Sequence, residues 1–402
     1  MLIVKKFGGT SVANKERIYN VARRCIEDYK KGHSVVVVLS AMGDTTDDLL
    51  ALANDINPNA NKRELDMLLT TGEQVSVSLM AMAMHAMDVP AVSLNAFQVG
   101  MNCTSRYGNA RFKRIDTDRI NHELDSRKIV IVTGFQGITK YDDYATLGRG
   151  GSDTTAVALA AVLHADLCEI YTDVDGVYTA DPRIVPNARK LPEITYDEML
   201  ELATAGAKVL HNRSVEMAKK YSVPMVVRSS LNESEGTIVK EVVKMEKMLI
   251  TGVAADKNTA RISVLGVKDE PGIAFRLFNL LARYRINVDI IIQSVGRDNR
   301  KDISFTVART DLQETMKIIN DHLEMLTADS VSADDTVAKI SIIGAGMTSN
   351  PGVAAKMFEA LSGANINIKM IATSEIRITV LIDEEDASRA MRVVHDAFSL
   401  AD

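Results

Sequence analysis

The chain has 402 residues, 46% hydrophobic and 25% charged, an ordinary globular balance with length for two or three domains. Its 47 basic and 53 acidic residues leave a net charge of −6 without a long basic run, which argues against a nucleic-acid partner. Glycine comes too early for a signal peptide, no apolar stretch reaches the roughly 20 residues that span a bilayer, and three scattered cysteines (Cys25, Cys103, Cys168) suggest a reduced cytoplasmic protein.

Residues 2–4 read as an apolar strand, followed by the glycine loop Lys6-Phe7-Gly8-Gly9-Thr10-Ser11 and a helical pattern over 14–31. Short apolar runs at 34–39, 129–132, 167–171 and 224–227 suit central strands buried on both faces. Helical patterns over 63–87 (with Glu73 in its middle), 117–127, 152–164, 196–205 and 211–221 lie between them. This alternation predicts an α/β three-layer sandwich with a mainly parallel central sheet.

A second glycine loop, TLGRGGSDTTA at 146–156, precedes the 152–164 helix. Glycine loops at helix N-termini expose backbone N–H groups and the positive end of the helix dipole. One such loop is more often a plain turn. Two, each with an embedded cation (Lys6, Arg149), read as a site where two anionic groups meet, which suggests phosphoryl transfer to a negatively charged acceptor.

After the charged segment 240–247 the texture changes. Pro271-Gly272 and Ile286-Asn287 recur 80 positions later as Pro351-Gly352 and Ile366-Asn367. Each copy reads as a small βαββαβ unit of the ferredoxin-like kind.

With these motifs in view the chain resembles aspartokinase, of the monofunctional type with two C-terminal ACT domains. The resemblance rests on KFGGTSV (6–12), VLSAMGDTTD (38–47), TTGEQVS (70–76), TLGRGGSDTTA (146–156), YTDVDGVYTADPR (171–183) and the two repeats. It implies an amino-acid-kinase domain at 1–245, a first ACT domain at 261–333, and a second formed by 246–260 with 334–402.

The activity implied is ATP-dependent phosphorylation of the L-aspartate β-carboxylate, with Lys6, Asp153 and Arg149 as catalytic residues. Substrate contacts implied are Ser40, Thr45, Glu73 (for the ammonium), Arg149 (for the α-carboxylate) and Ser152. Nucleotide contacts implied are Lys6, Phe7, Gly8, Gly9, Thr172, Asp173, Tyr178, Asp181, Arg183 and Lys208. Allosteric positions implied are Asp269, Ala274, Asn287, Asp289 and Gln293 in the first repeat. In the second they are Val353, Ala354, Asn367, Ile368, Ser374 and Glu375. Lysine, threonine or both are the expected inhibitors, the ACT domains the expected route to a homo-oligomer, and a start near Met245 a route to a shorter regulatory subunit. ATP arrives with Mg2+, for which no protein ligand is assigned, and no tightly bound cofactor is expected.

The chemistry fits these residue types. A carboxylate attacking a γ-phosphate brings like charges together, so cations and N–H dipoles must neutralise the transition state. A carboxylate is already ionised at neutral pH, so no general base is needed. A guanidinium suits a planar carboxylate because its fork bonds bidentately.

Plainer readings stand beside these. Arg149 and Asp153 could form a local ion pair, Glu73 a surface carboxylate, and Met80, Met82, Met84 and Met87 core or subunit packing. Gly344-Ala345-Gly346 lacks the third glycine of a dinucleotide fingerprint, and His211 reads as a helix-start residue. The competing functions are a sister amino-acid kinase and a catalytically weak amino-acid sensor, which would be expected to lose Lys6, Arg149 or Asp153.

Overall fold

The computed structural model describes residues 1–207, 209–242, 249–296, 298–347 and 350–401. Its chain divides into two compact units, Met1–Val177 with Lys190–Ala203 and Lys208–Met245, and Tyr178–Arg189 with Thr204–Ala207 and Glu246–Asp402. Among the described residues no helix is long and apolar enough to cross a membrane.

The first unit is built on an eight-stranded sheet. Its strand order is Glu193–Thr195, Thr237–Lys240, Met225–Ser229, Leu167–Thr172, Leu2–Phe7, Ser34–Leu39, Ile129–Thr133, Ala91–Leu94. Neighbouring strands run parallel except for Met225–Ser229 against Thr237–Lys240. Val35 to Leu39 are wholly buried, which is why this strand reads as a continuous apolar run and not as an alternation.

Two helices place the glycine loops. Leu2–Phe7 delivers the first loop, a short 3-10 turn (Gly9–Val12) follows, and Lys15–Lys30 begins where Asn14 caps the Arg17 N–H. That helix buries Ile18, Val21, Ala22, Cys25 and Ile26, one face of a 3.6-residue period. Gly151–Val162 instead buries every residue from 151 to 160, so after its polar first turn (Ser152 to Thr155) it reads as a run of small apolar residues without a polar face.

Three local features depart from the sequence expectation. The pattern over 63–87 is two helices, Lys62–Leu69 and Thr71–His85. At their junction the Thr70 and Thr71 hydroxyls donate to the carbonyls of Met67 and Leu68, side-chain bonds that compete with helix continuation. Glu73 therefore lies in the first turn of the second helix and not in mid-helix. Thr45–Ile56 is a helix outside the expected ones: Leu49, Leu52, Ala53 and Ile56 recur at helical spacing, yet the helix buries none of its residues and leaves Leu52 and Ile56 exposed. A small sheet (Phe112–Ile115, Met101–Cys103, Gln136–Ile138, Tyr144–Thr146) uses strands of three or four residues, too short to establish a period.

The second unit contains two four-stranded antiparallel sheets. In the first repeat the order is Ile291–Gln293, Arg300–Val307, Ala260–Lys268, Ser330–Asp334, with helices Ile273–Arg283 and Leu312–Asn320. In the second it is Met370–Thr373, Arg377–Asp383, Val337–Ile343, Gly252–Asp256, with helices Val353–Gly363 and Ala387–Ala397. Gly252–Asp256 thus takes, beside Val337–Ile343, the place that Ser330–Asp334 takes beside Ala260–Lys268. The Tyr178–Arg189 segment belongs to this unit because Ala180 and Val185 sit in the second repeat's apolar core, with Ile250, Ile340 and Val394.

Candidate active site

Parallel strands end together at one edge, and side chains from the loops beyond them converge there. A cleft of about 560 Å³ is lined by Lys6, Gly8, Gly9, Ser40, Glu73, Arg149, Ser152 and Asp153, together with Asp47, Lys62, Asp66, Phe135 and neighbouring residues. Eight sequence-predicted positions from four separate motifs therefore share one cavity.

Lys6 Nζ lies 2.7 Å from Asp153 Oδ1, which joins the first glycine loop to the second. Asp153 therefore pairs with Lys6 across the cleft, and the local Arg149–Asp153 pair is not its arrangement. Among the described residues no carboxylate pairs with Arg149, which is exposed in the cleft wall. The Ser40 hydroxyl donates to Ser152 Oγ at 2.9 Å, linking the end of Ser34–Leu39 to the start of Gly151–Val162.

Glu73 is 2% exposed, so the surface reading fails. The Ala41 N–H donates to its Oε1 at 3.1 Å, whereas its Oε2 is buried without a partner among the described residues. Burial pushes its carboxyl up to about 8, against the backbone N–H groups of Ala41 and of Glu73 itself. A buried carboxyl group with one unpartnered oxygen, on a residue that lines the cleft, suits an ammonium group, which would favour its ionised form.

Gly150 caps the Gly151–Val162 helix with φ +66°, and a Cβ there would lie 2.2 Å from the His211 Cβ. His211 itself caps Asn212–Tyr221, its Nδ1 accepting the Arg213 N–H at 3.3 Å. Burial holds its imidazole below the usual pKa, in keeping with a neutral capping residue.

Other predicted residues fall elsewhere. Phe7 is buried and stacks on Tyr171 with ring centroids 4.4 Å apart. The Thr45 hydroxyl donates to the Met42 carbonyl at 2.6 Å. Thr172 closes the Leu167–Thr172 strand, its hydroxyl bonded to Asp173, and neither lines the cleft. Tyr178, Asp181 and Arg183 lie in the second unit, where Arg183 forks onto the Asp181 carboxylate. Lys208 and Met245 lie outside the described residues. Met80 and Met84 are core, whereas Met82 is exposed.

In the second unit a cavity of about 240 Å³ is lined by Val353, Ala354, Ser374 and Glu375, with Met347, Asn350, Gly352, Thr373 and Ile378. Asn367 and Ile368 are not in its wall. In the first repeat Asp269 pairs with Lys301 at 2.8 Å, and Asp289 reaches Lys339 of the second repeat at 2.5 Å. Ala274 lies in the Ile273–Arg283 helix, Gln293 ends the Ile291–Gln293 strand, and Asn287 lies in the irregular segment between them.

Asp66 escaped the sequence reading. It is as buried as Glu73, and it accepts from Gly108 N, Thr146 N and Thr146 Oγ1, each at 2.8 Å. Its partners are 42 and 80 residues away, so no local motif could have marked it.

A two-loop cleft of this kind at the end of a parallel sheet is the arrangement of a phosphoryl-transfer enzyme, and the matching family models give its class. The amino acid kinase family model matches residues 1–229, and ACT domain models match 260–324 and 340–398. The chain is 52% identical to the aspartokinase of Geobacillus stearothermophilus, over all of this chain and 98% of that one. Two structures of E. coli aspartokinase III, each covering 99% of both chains, resemble it. The complex with aspartate and ADP (R-state) gives 27% identity and TM-score 0.84. The complex with lysine and aspartate (T-state) gives 28% and 0.76. The chain belongs to the aspartokinase family.

Proposed function

We propose that this chain transfers the γ-phosphoryl group of ATP to the β-carboxylate of L-aspartate within the 560 Å³ cleft, forming an acyl phosphate. The observation that carries this reading is the Lys6–Asp153 contact, which brings the two glycine loops onto one cavity. Lys6 neutralises charge on the transferring phosphoryl group, and Gly8 and Gly9 offer backbone donors beside it. Asp153 holds the Lys6 ammonium in place. Glu73 takes the substrate ammonium, Arg149 clamps the α-carboxylate bidentately, and Ser40 and Ser152 complete the substrate contacts in the cleft, the contact assigned to Thr45 resting on the motif resemblance alone. No proton need be removed from the nucleophile, because the β-carboxylate is already ionised.

The nucleotide roles assigned to Phe7, Thr172, Asp173, Tyr178, Asp181, Arg183 and Lys208 rest on the motif resemblance alone. Magnesium enters with ATP, held mainly by phosphate oxygens and water.

The assigned domains are 1–245 for catalysis, 261–333 for the first ACT domain and 246–260 with 334–402 for the second. The pairing of Gly252–Asp256 with Val337–Ile343 supports the discontinuous third. Lysine, threonine or both act through these domains; the 240 Å³ cavity, with its Glu375 carboxylate, suits a free amino acid. The chain forms a homo-oligomer through the same unit, where Phe275, Ile291 and Val295 are exposed.

The test is ADP release from MgATP with aspartate, with hydroxylamine trapping the acyl phosphate, repeated with lysine and threonine singly and together. Aspartate-dependent hydroxamate is expected. Its absence from folded protein would sink the reading, and product from glutamate would redirect it to a sister kinase.

A further inference from the structure

Arg149 stands on a glycine loop, and glycine loops are soft. A bidentate clamp works only if its backbone is held, because misplacement by about 1 Å can cost two orders of magnitude in rate. Two charged side chains outside the named motifs grip the backbone directly before this loop.

Asp66, on the Lys62–Leu69 helix, takes the donor side. Its carboxylate accepts the N–H groups of Gly108 and Thr146 and the Thr146 hydroxyl. Arg213, on the Asn212–Tyr221 helix, takes the acceptor side. Its guanidinium donates to the carbonyls of Leu147 at 2.6 Å and Ala110 at 3.0 Å. The two gripped segments are themselves joined, because the Ala110 N–H donates to the Thr146 carbonyl at 2.8 Å. Gly148, with φ +79°, then passes so close to the Gly108 carbonyl that a Cβ would sit 3.0 Å from it. Arg149 follows immediately.

We infer that Asp66 and Arg213 are positioning residues that fix the backbone of the Gly148-Arg149 turn, and that they set aspartate affinity through Arg149 without touching the reacting atoms. The chemistry of each suits its side. An ionised carboxylate is purely an acceptor and can take several N–H groups at once, whereas a guanidinium is purely a donor whose fork spans two carbonyls. The segment between them has both its N–H and C=O groups satisfied by charged partners, bonds about twice as strong as neutral ones. The inference rests on the reading of Arg149 as the carboxylate clamp.

The test is a double-mutant cycle in the full-length protein, with KM for aspartate, KM for ATP and kcat measured alongside the melting temperature. Arg149→Ala, Asp66→Ala and Arg213→Met are expected to raise the aspartate KM about tenfold or more, with the ATP KM changed less than about threefold. Asp66→Asn and Arg213→Lys, which keep an acceptor and a donor, should recover part of the loss and serve where the harsher variants do not fold. Combining Asp66→Ala or Arg213→Met with Arg149→Ala should add little, since the group they position is already gone. Folded Asp66 and Arg213 variants with normal aspartate KM, or full additivity with Arg149→Ala, would overturn the inference. An unchanged aspartate KM in Arg149→Ala itself would overturn the clamp reading instead.

Discussion

Lys6 and Asp153 stand 2.7 Å apart although 147 positions separate them in the chain, and both side chains are close to nine-tenths buried. One comes from the first strand of the sheet, the other from the first turn of the buried Gly151–Val162 helix. A cation held this way in a cleft is preorganised, so it need not reorganise when charge develops on a transferring phosphoryl group.

Lys6→Ala should therefore lower kcat by at least about 100-fold, the scale of losing one preorganised electrostatic group. Its circular dichroism should stay native. Steady-state kinetics on the purified variant decide the matter, and near-normal turnover would remove Lys6 from the chemistry.

Glu73 should make the protein's stability depend on pH. Its carboxyl is raised from 4.5 to about 8, so between those values the folded protein keeps a proton that the unfolded chain has released. The stabilisation is complete below about 4.5 and lost above about 8. The ligand-free melting temperature should fall as pH rises through this window, and Glu73→Gln should flatten the slope; an unchanged slope would acquit Glu73. An ammonium group favours the ionised carboxylate, so aspartate binding near pH 7 should release close to one proton. Calorimetry in buffers of different ionisation heat would read that release.

Gly150→Ala should destabilise the protein by about 2 kcal/mol or more, from left-handed backbone strain and the approach to His211. Thermal or denaturant melts would measure it. A loss within about 0.5 kcal/mol would mean that the 150–211 contact relaxes freely.

Glu375→Ala should weaken amino-acid inhibition by about tenfold or more, within the usual range of coupling energies, while leaving uninhibited turnover unchanged. Dose–response curves for lysine and threonine would check this. Equal inhibition of wild type and variant would place the effector elsewhere.

Much of this site is legible in the sequence. Lys6, Arg149 and Asp153 announced themselves because glycine-rich loops concentrate backbone donors and cations within a few residues, and such local chemistry survives in a one-dimensional record. Asp66 and Arg213 left no such trace. Their partners are main-chain groups of distant segments, and any residue supplies an N–H or a carbonyl. The Thr45–Ile56 helix is a different case: Leu49, Leu52, Ala53 and Ile56 do recur at helical spacing, but the structure buries none of that face.

The parallel sheet, the two glycine loops and the 80-residue repeat are legible in the chain alone, because continuous apolar runs, glycine spacing and periodicity are local properties. The pairing of Asp153 with Lys6 and not with Arg149, the burial of Glu73 with one oxygen unpartnered among the described residues, and the packing of Tyr178–Arg189 in the second unit emerge from the fold alone. Each of these depends on which distant surfaces meet and how much water they exclude, and that is settled by the packing of the whole chain.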